Sequence, residues 1–306
     1  MPKRNILAIS FYFPPLAAAR SIQVARLLSG ADAETVIVSG ADPREPIDES
    51  TAINLDEDKA KSVPVKNNIT FLRTCWNAAN ARTGLNLHNM PDPFRQWNPN
   101  ALNLCYNAML KTKYHPEAIV TFGTPMSSHL AGLKFKKIVD IPWIAHFSDP
   151  WADNPYRNDN AITRAVNLRQ ERAVIENCDA AIFTSQETID TVMAKYPVEL
   201  KTKAHYLPHC FDPDAYGSPK NPPNDSYMIR SMGSFYGKRS PEPFFAAVEN
   251  VASATPDFFN NVEIEFYGNL YGYSKTLSKY PNAAKLIKIA GTVDYKKCLR
   301  LEKRAH

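Results

Sequence analysis

The 306-residue chain lacks several features that would fix a class at once. It has no C-x-x-C pair. Its five cysteines (Cys75, Cys105, Cys178, Cys210, Cys298) are scattered and odd in number, so neither a zinc site nor a disulfide framework is suggested, and a reducing cytoplasm fits. No run approaches the roughly 18 apolar residues a membrane helix needs. The basic start of Met1–Ser10 leads into an apolar run too short for a signal peptide. There is no long Lys/Arg block, and a net charge of +5 is too weak to argue for nucleic acid, although it suits anionic substrates or an acidic membrane surface. The dinucleotide fingerprint G-x-G-x-x-G, the P-loop G-x-x-x-x-G-K-[ST] and the nucleophile elbow G-x-S-x-G are all absent. A nicotinamide dehydrogenase, a P-loop ATPase and an elbow-type hydrolase are thereby unsupported.

What is present is an ordinary globular mixture, 44% hydrophobic and 22% charged, long enough for two domains. Strands and helices alternate. Asn5–Ser10 predicts a buried strand, Ala18–Ser29 a helix with Ile22, Ala25 and Leu28 at helical spacing, and Thr35–Val38 a second strand. This β-α-β opening predicts a parallel sheet with a right-handed crossover. Gly40–Lys66 reads as a long polar surface loop, Ile69–Leu72 as a short strand and Cys75–Trp97 as irregular. Helices are expected over 99–111, 125–137, 161–177 and 186–195, and strands over 118–122, 143–147, 180–183 and 204–207. Pro208, Pro213, Pro219, Pro222 and Pro223 crowd a stretch with little that packs, which marks a linker. Beyond it, strands at 227–232, 262–266 and 286–290 and helices at 241–254 and 294–304 form a smaller domain. The expectation is an α/β, doubly wound chain with domains 1–207 and 226–306 joined by 208–225.

Three stretches could carry chemistry. In the first, the apolar strand Trp143–Phe147 breaks into Ser148-Asp149-Pro150-Trp151-Ala152-Asp153, a polar, aromatic loop. In open α/β sheets ligands bind outside such carboxyl ends. Asp149 and His146 are the catalytic candidates, because a carboxylate here can orient or deprotonate a substrate hydroxyl. The plainer role for His146 is a core histidine with a satisfied hydrogen bond, and for Asp153 a turn cap. The second stretch is the turn Tyr12–Ser21, where free backbone N–H groups, the helix dipole and Arg20 suit phosphate. The third is Ser231–Pro241, where Gly233 and Gly237 permit close backbone approach and Lys238 and Arg239 bring positive charge ahead of a helix. This is the strongest diphosphate candidate. Thr124–Ser128, at a helix start, could cap that helix or touch a ligand. Asp56-Glu57-Asp58 has the D-x-D form of metal-dependent sugar transferases, but it lies in the long polar loop and reads as a solvated face, so no metal is expected.

These pieces, taken in order, resemble a family. Phe11-Tyr12-Phe13-Pro14-Pro15 with Ala19-Arg20-Ser21, then His146-Phe147-Ser148-Asp149-Pro150-Trp151, then Leu207-Pro208-His209-Cys210-Phe211-Asp212, then Gly233–Arg239 follow the order seen in GT-B glycosyltransferases. The resemblance covers nearly the whole chain and is nearest to the retaining, family-four-like branch that uses nucleotide sugars. It implies two Rossmann-like domains facing a cleft, acceptor on the first and donor on the second. Gly233, Lys238, Arg239 and Arg20 would hold the donor diphosphate. Pro15, Thr124, Ser148 and Trp151 would line the acceptor side, with Asp149 facing it. No cofactor or metal is implied.

Two departures stand out. Ala17, Ala18 and Ala19 occupy a turn where many relatives carry glycine. Relatives also have a later pair of donor-binding glutamates, whereas here Gly291-Thr292-Val293-Asp294 resembles the turn before that region and only Glu302 follows as a carboxylate. The second domain is therefore expected to be incomplete. The expected activity is sugar transfer from a nucleotide-sugar donor to a glycan or lipid-linked acceptor in surface polysaccharide synthesis, in the cytoplasm and in peripheral contact with the inner membrane face, with no nucleic-acid partner. The alternative is a non-catalytic sugar- or acceptor-binding module. A sugar-nucleotide epimerase shares the two-domain plan, but no specific residue supports it.

Overall fold

The computed structural model describes residues 4–41, 45–52, 60–66, 90–111, 114–157, 159–217 and 226–306. The chain divides into two units, Met1–Phe211 and Asp212–His306.

The first unit is built on seven strands: β1 (Arg4–Ser10), β2 (Ala33–Ala41), β3 (Ala60–Lys66), β4 (Ala118–Gly123), β5 (Trp143–Phe147), β6 (Ala180–Phe183) and β7 (Ala204–Tyr206). They pair in the order β3-β2-β1-β4-β5-β6-β7, all parallel. The described helices are α1 (Ala19–Ser29), α2 (Asn98–Lys111), α3 (Ser127–Lys136), α4 (Ala161–Asn177), α5 (Gln186–Met193) and the single turn α6 (Val198–Lys201). Strand order reverses between β1 and β4, so their carboxyl ends form the switch point at which α/β sheets bind ligands.

Successive strand residues point to opposite faces. Leu7 and Ile9 join a core with Ala101 of α2, Ala131 and Phe135 of α3 and Val174 of α4. Ala8, Ile37, Val120 and Phe122 pack instead against Val24, Ala25 and Leu28 of α1. Both faces are covered, which is why these strands read as continuous apolar runs. Gly132 brings α3 close to the sheet: a Cβ there would lie 2.4 Å from Thr121 Cγ2 and 2.8 Å from Trp143 Nε1.

The second unit holds β8 (Tyr227–Met232), α7 (Glu242–Ala254), β9 (Val262–Tyr267), α8 (Tyr273–Leu277), α9 (Pro281–Leu286), β10 (Ile287–Gly291) and α10 (Tyr295–Glu302). Its sheet runs β10-β9-β8, again parallel. Phe245 and Val248 of α7 pack on Ile264, Phe266 and Ile287.

The main correction concerns 40–66. It is not one loop: β2 runs to Ala41, and Ala60–Lys66 is an edge strand in register with β2. Pro64 lies in that strand, and an edge position tolerates a residue that cannot donate to a ladder. The expected strand at 69–72, the Asp56–Asp58 run and most of the irregular 75–97 stretch lie outside the described residues. The start of the expected linker also packs. Tyr216 donates to Glu302 Oε2 (3.2 Å), and Lys303 reaches the Gly217 carbonyl, so 214–217 lies against the second unit's own surface.

Candidate functional site

The carboxyl ends of β1, β4 and β5 gather the first unit's polar residues. Arg20, in the first turn of α1, is only 8% exposed. Its Nη2 donates to the Gly123 carbonyl at the end of β4 and lies 2.9 Å from His146 Nδ1 and 3.4 Å from the His146 carbonyl on β5. Arginine can only donate, so His146 Nδ1 must be bare and its ring proton sits on Nε2. Burial, with Arg20 adding to it, pushes the His146 pKa down to about 3. Burial also lowers Arg20 to about 10, which Asp149 partly offsets. His209, after β7, is shifted down by burial and by Arg20. The guanidinium therefore holds strand ends together and is not open to solvent.

Asp149 is exposed beside two hydroxyls: Ser148 Oγ is 2.7 Å and Thr124 Oγ1 3.3 Å from its Oδ2. Ser148 N–H also donates to the Gly123 carbonyl (3.2 Å), tying this loop to β4. Pro15 is half-buried, and its carbonyl accepts from Asp48 N–H (2.9 Å).

Trp151, expected on the acceptor side, is a core side chain instead. It is 1% exposed, and its Nε1–H donates to Asn167 Oδ1 (3.1 Å), the partner that a buried indole needs. It belongs to a clamp that sequence reasoning missed. Glu171, one turn after Asn167 on α4, is fully buried and accepts from Ala152 N–H (2.9 Å), Tyr196 OH (2.7 Å) and Lys195 Nζ (2.8 Å). Lys195 also pairs with Asp153, which Arg164 meets at 3.1 Å. Asp153 is thus an ion-pair partner and not a turn cap. The i,i+4 spacing of Asn167 and Glu171, which puts both on the face that also carries Thr163 and Val174, was the available signal.

Beneath Gly123, Trp143 Nε1–H donates to Thr121 Oγ1 (2.9 Å), whose own proton faces His129 Nδ1 at 2.7 Å. His129 is buried, and burial drives its pKa well below the usual value. It is a core histidine. The N–H of its neighbour Ser127 is taken by Asp92 Oδ2 (2.8 Å), so α3 is capped from a distant segment.

In the second unit all three strands end on glycines with positive φ: Gly233 (+126°), Gly268 (+111°) and Gly291 (+73°). A Cβ on Gly268 would meet the Gly233 carbonyl at 2.4 Å, so the backbones after β8 and β9 touch. Gly237 (φ +60°) turns the first loop. Lys238 and Arg239 are exposed, and the Arg239 guanidinium lies 5.3 Å from the Tyr236 ring centroid. The loops are tied by Phe235 N–H to the Asn269 carbonyl (2.9 Å), Asn269 N–H to Ser234 Oγ (3.0 Å) and Tyr273 OH to the Gly237 carbonyl (3.1 Å). The following helix starts at Glu242, whose N–H bonds Ser240 Oγ (3.2 Å). Among the described residues no group of three or more His, Cys, Asp or Glu could hold a metal ion. No described helix is long and apolar enough to cross a membrane.

No family model matches the chain, and no curated protein matches it in sequence. Solved structures do. The Staphylococcus aureus MnaA–UDP structure is similar over 99% of this chain and 72% of its own, at 11% identity and a TM-score of 0.53. An Escherichia coli structure described as trehalose-6-phosphate bound with UDP-2-fluoro glucose is similar over 98% and 76%, at 10% identity and TM-score 0.61. CalG4, the calicheamicin glycosyltransferase, is similar over 94% and 70%, at 14% identity and TM-score 0.50. The chain has the GT-B fold. At these identities the likeness concerns the fold and names no residue. Ser148, Asp149 and Thr124 of the first unit and the Gly233–Arg239 loop of the second follow carboxyl strand ends.

Proposed function

We propose that this chain is a glycosyltransferase moving a sugar from a nucleotide-sugar donor to a glycan or lipid-linked acceptor, with retention and without a metal. The second unit takes the donor and the first the acceptor. The observation that carries the reading is the Gly233–Arg239 loop: two positive-φ glycines and two exposed cations at the end of β8. Backbone N–H groups there can face phosphate oxygens at close range. Lys238 and Arg239 then offset the charge that develops on a departing nucleoside diphosphate. On the first unit, Asp149 orients the acceptor hydroxyl, assisted by Ser148 and Thr124. His146, held neutral, keeps an Nε2–H that donates toward substrate oxygen. Arg20 serves from beneath by fixing β4 and β5, in place of the diphosphate contact expected for it. A role in surface polysaccharide synthesis at the inner membrane face belongs to the same reading, and the basic net charge favours it.

The neighbours support nucleotide-sugar chemistry in kind: structures of this fold include complexes with UDP, UDP-2-fluoro glucose and UDP-GlcNAc. Epimerisation is the second reading, favoured by two neighbours described as UDP-GlcNAc 2-epimerases, one of them putative in name. The test is incubation of the chain with a panel of UDP-, GDP-, ADP-, CDP- and dTDP-sugars. Release of one nucleoside diphosphate above the blank is expected. A rearranged sugar would favour the epimerase, and no turnover of any donor would reject catalysis by this chain.

A further inference from the structure

The turn Leu270–Tyr273 is closed by Tyr273 N–H to the Leu270 carbonyl (2.9 Å). Inside it Tyr271 has φ +47°, alone in positive φ among the described residues other than glycine. Its neighbour Gly272 sits at φ −76°, which any residue adopts. The glycine is one place away from where the backbone would use it. An aromatic residue in the left-handed region is disfavoured, and such a conformation persists only where its surroundings over-determine it.

The surroundings here do so. Tyr271 N–H donates to Asn269 Oδ1 (2.7 Å), and Asn269 in turn bonds Ser234 and Phe235 of the Gly233–Arg239 loop. Tyr273 OH adds the bond to Gly237. The strained tyrosine is thus fastened to the loop proposed for phosphate. The fold gains little from its ring, which is 64% exposed, so burial does not explain the side chain.

We infer that the Tyr271 ring is a stacking platform for the base of the nucleoside diphosphate, an inference that rests on the donor site proposed above. The exposed ring offers a flat π-face beside a loop built for phosphates. Base–aromatic stacking tolerates every base, so this contact adds affinity and leaves base choice to other groups.

Calorimetry with UDP and with pyrophosphate, which shares the phosphates and lacks the base, tests it. Tyr271→Gly relieves the backbone and is expected to raise the melting temperature. The same variant is expected to weaken UDP binding by on the order of tenfold, the usual effect of removing a stacked ring. Pyrophosphate binding stays as in the unaltered chain, and the conservative Tyr271→Phe restores UDP binding. The inference is overturned alone if Tyr271→Gly keeps UDP affinity while Lys238→Ala loses it, or if pyrophosphate weakens in step with UDP. If the unaltered chain binds none of UDP, ADP, GDP, CDP and dTDP, the donor-site reading falls and takes this inference with it.

Discussion

Arg20 Nη2 stands 2.9 Å from Nδ1 of His146, a buried cation against a ring nitrogen that carries no proton. The pairing sets a direction for pH dependence. His146 has a folded pKa of about 3 against an ordinary 6.5, so between those values the unfolded chain binds a proton that the folded chain does not. Stability from this group is complete above about pH 6.5 and is lost as pH falls toward 3. His129 and His209 are shifted the same way and add to the slope. Thermal melts from neutral to acid pH should fall less steeply in His146→Gln than in the unaltered chain. Equal slopes would contradict the buried neutral ring. Because Arg20 is one cause of the shift, Arg20→Met should raise the His146 pKa seen by NMR.

The clamp behind the β5 loop gives a stability prediction. Removing Glu171 leaves the Tyr196 OH and the Ala152 N–H without their acceptor in a buried site, while Lys195 keeps Asp153. A buried donor left without its acceptor costs about 1–3 kcal/mol, so Glu171→Ala, which leaves two, should lower the urea midpoint clearly. Limited proteolysis should then cut first next to Ala152, whose N–H loses its Glu171 acceptor. A variant as stable as the parent would show that Glu171 is not the anchor.

Gly268 allows a separate check on the second unit. Its φ of +111° and the 2.4 Å approach of the Gly233 carbonyl leave no room for a methyl group. Gly268→Ala forces the loops after β8 and β9 apart, at a cost of about 1–3 kcal/mol from the backbone conformation alone. Nucleoside diphosphate binding should weaken with it. Gly272→Ala is expected to be nearly silent, because φ is −76° and no atom lies within 4 Å of the added carbon.

How far the sequence carried follows from which forces act locally. The apolar runs Asn5–Ser10 and Trp143–Phe147 are covered on both faces, and Ala180–Phe183 buries Ala181 and Phe183 on one, so they announce strands without tertiary knowledge. The α4 helix was legible to the residue because Asn160 caps its start: the Asn160 side chain accepts from Thr163 N–H (2.8 Å). The edge strand Ala60–Lys66 was not, since its pairing with β2 is long-range and its Pro64 is a local breaker. The strand-end positions of Arg20, Asp149 and Gly233 were legible from chain order. That Arg20 turns inward was not, because its partners Gly123 and His146 lie more than a hundred residues away in sequence. Trp151 was misread because its partner Asn167 is on a helix that the loop must fold back to meet.

Asp149 separates site from scaffold. It is exposed, and among the described residues its side chain hydrogen-bonds the Ser148 and Thr124 hydroxyls. Surface substitutions of this kind move stability by about ±0.5 kcal/mol. Asp149→Ala should therefore melt with the parent while losing transfer by about 10²-fold or more, the scale on which a positioned acid–base or orienting group acts. Full activity in this variant would remove Asp149 from the acceptor site.

The central claim is that the Gly233–Arg239 loop holds a nucleoside diphosphate, and calorimetric titration of the full chain with UDP, ADP, GDP, CDP and dTDP tests it most directly. The expected result is one-to-one binding of at least one of them, lost in the Lys238→Ala/Arg239→Ala double variant and weakened by added salt. Absence of binding by every diphosphate, or binding that the double variant retains in full, would contradict it.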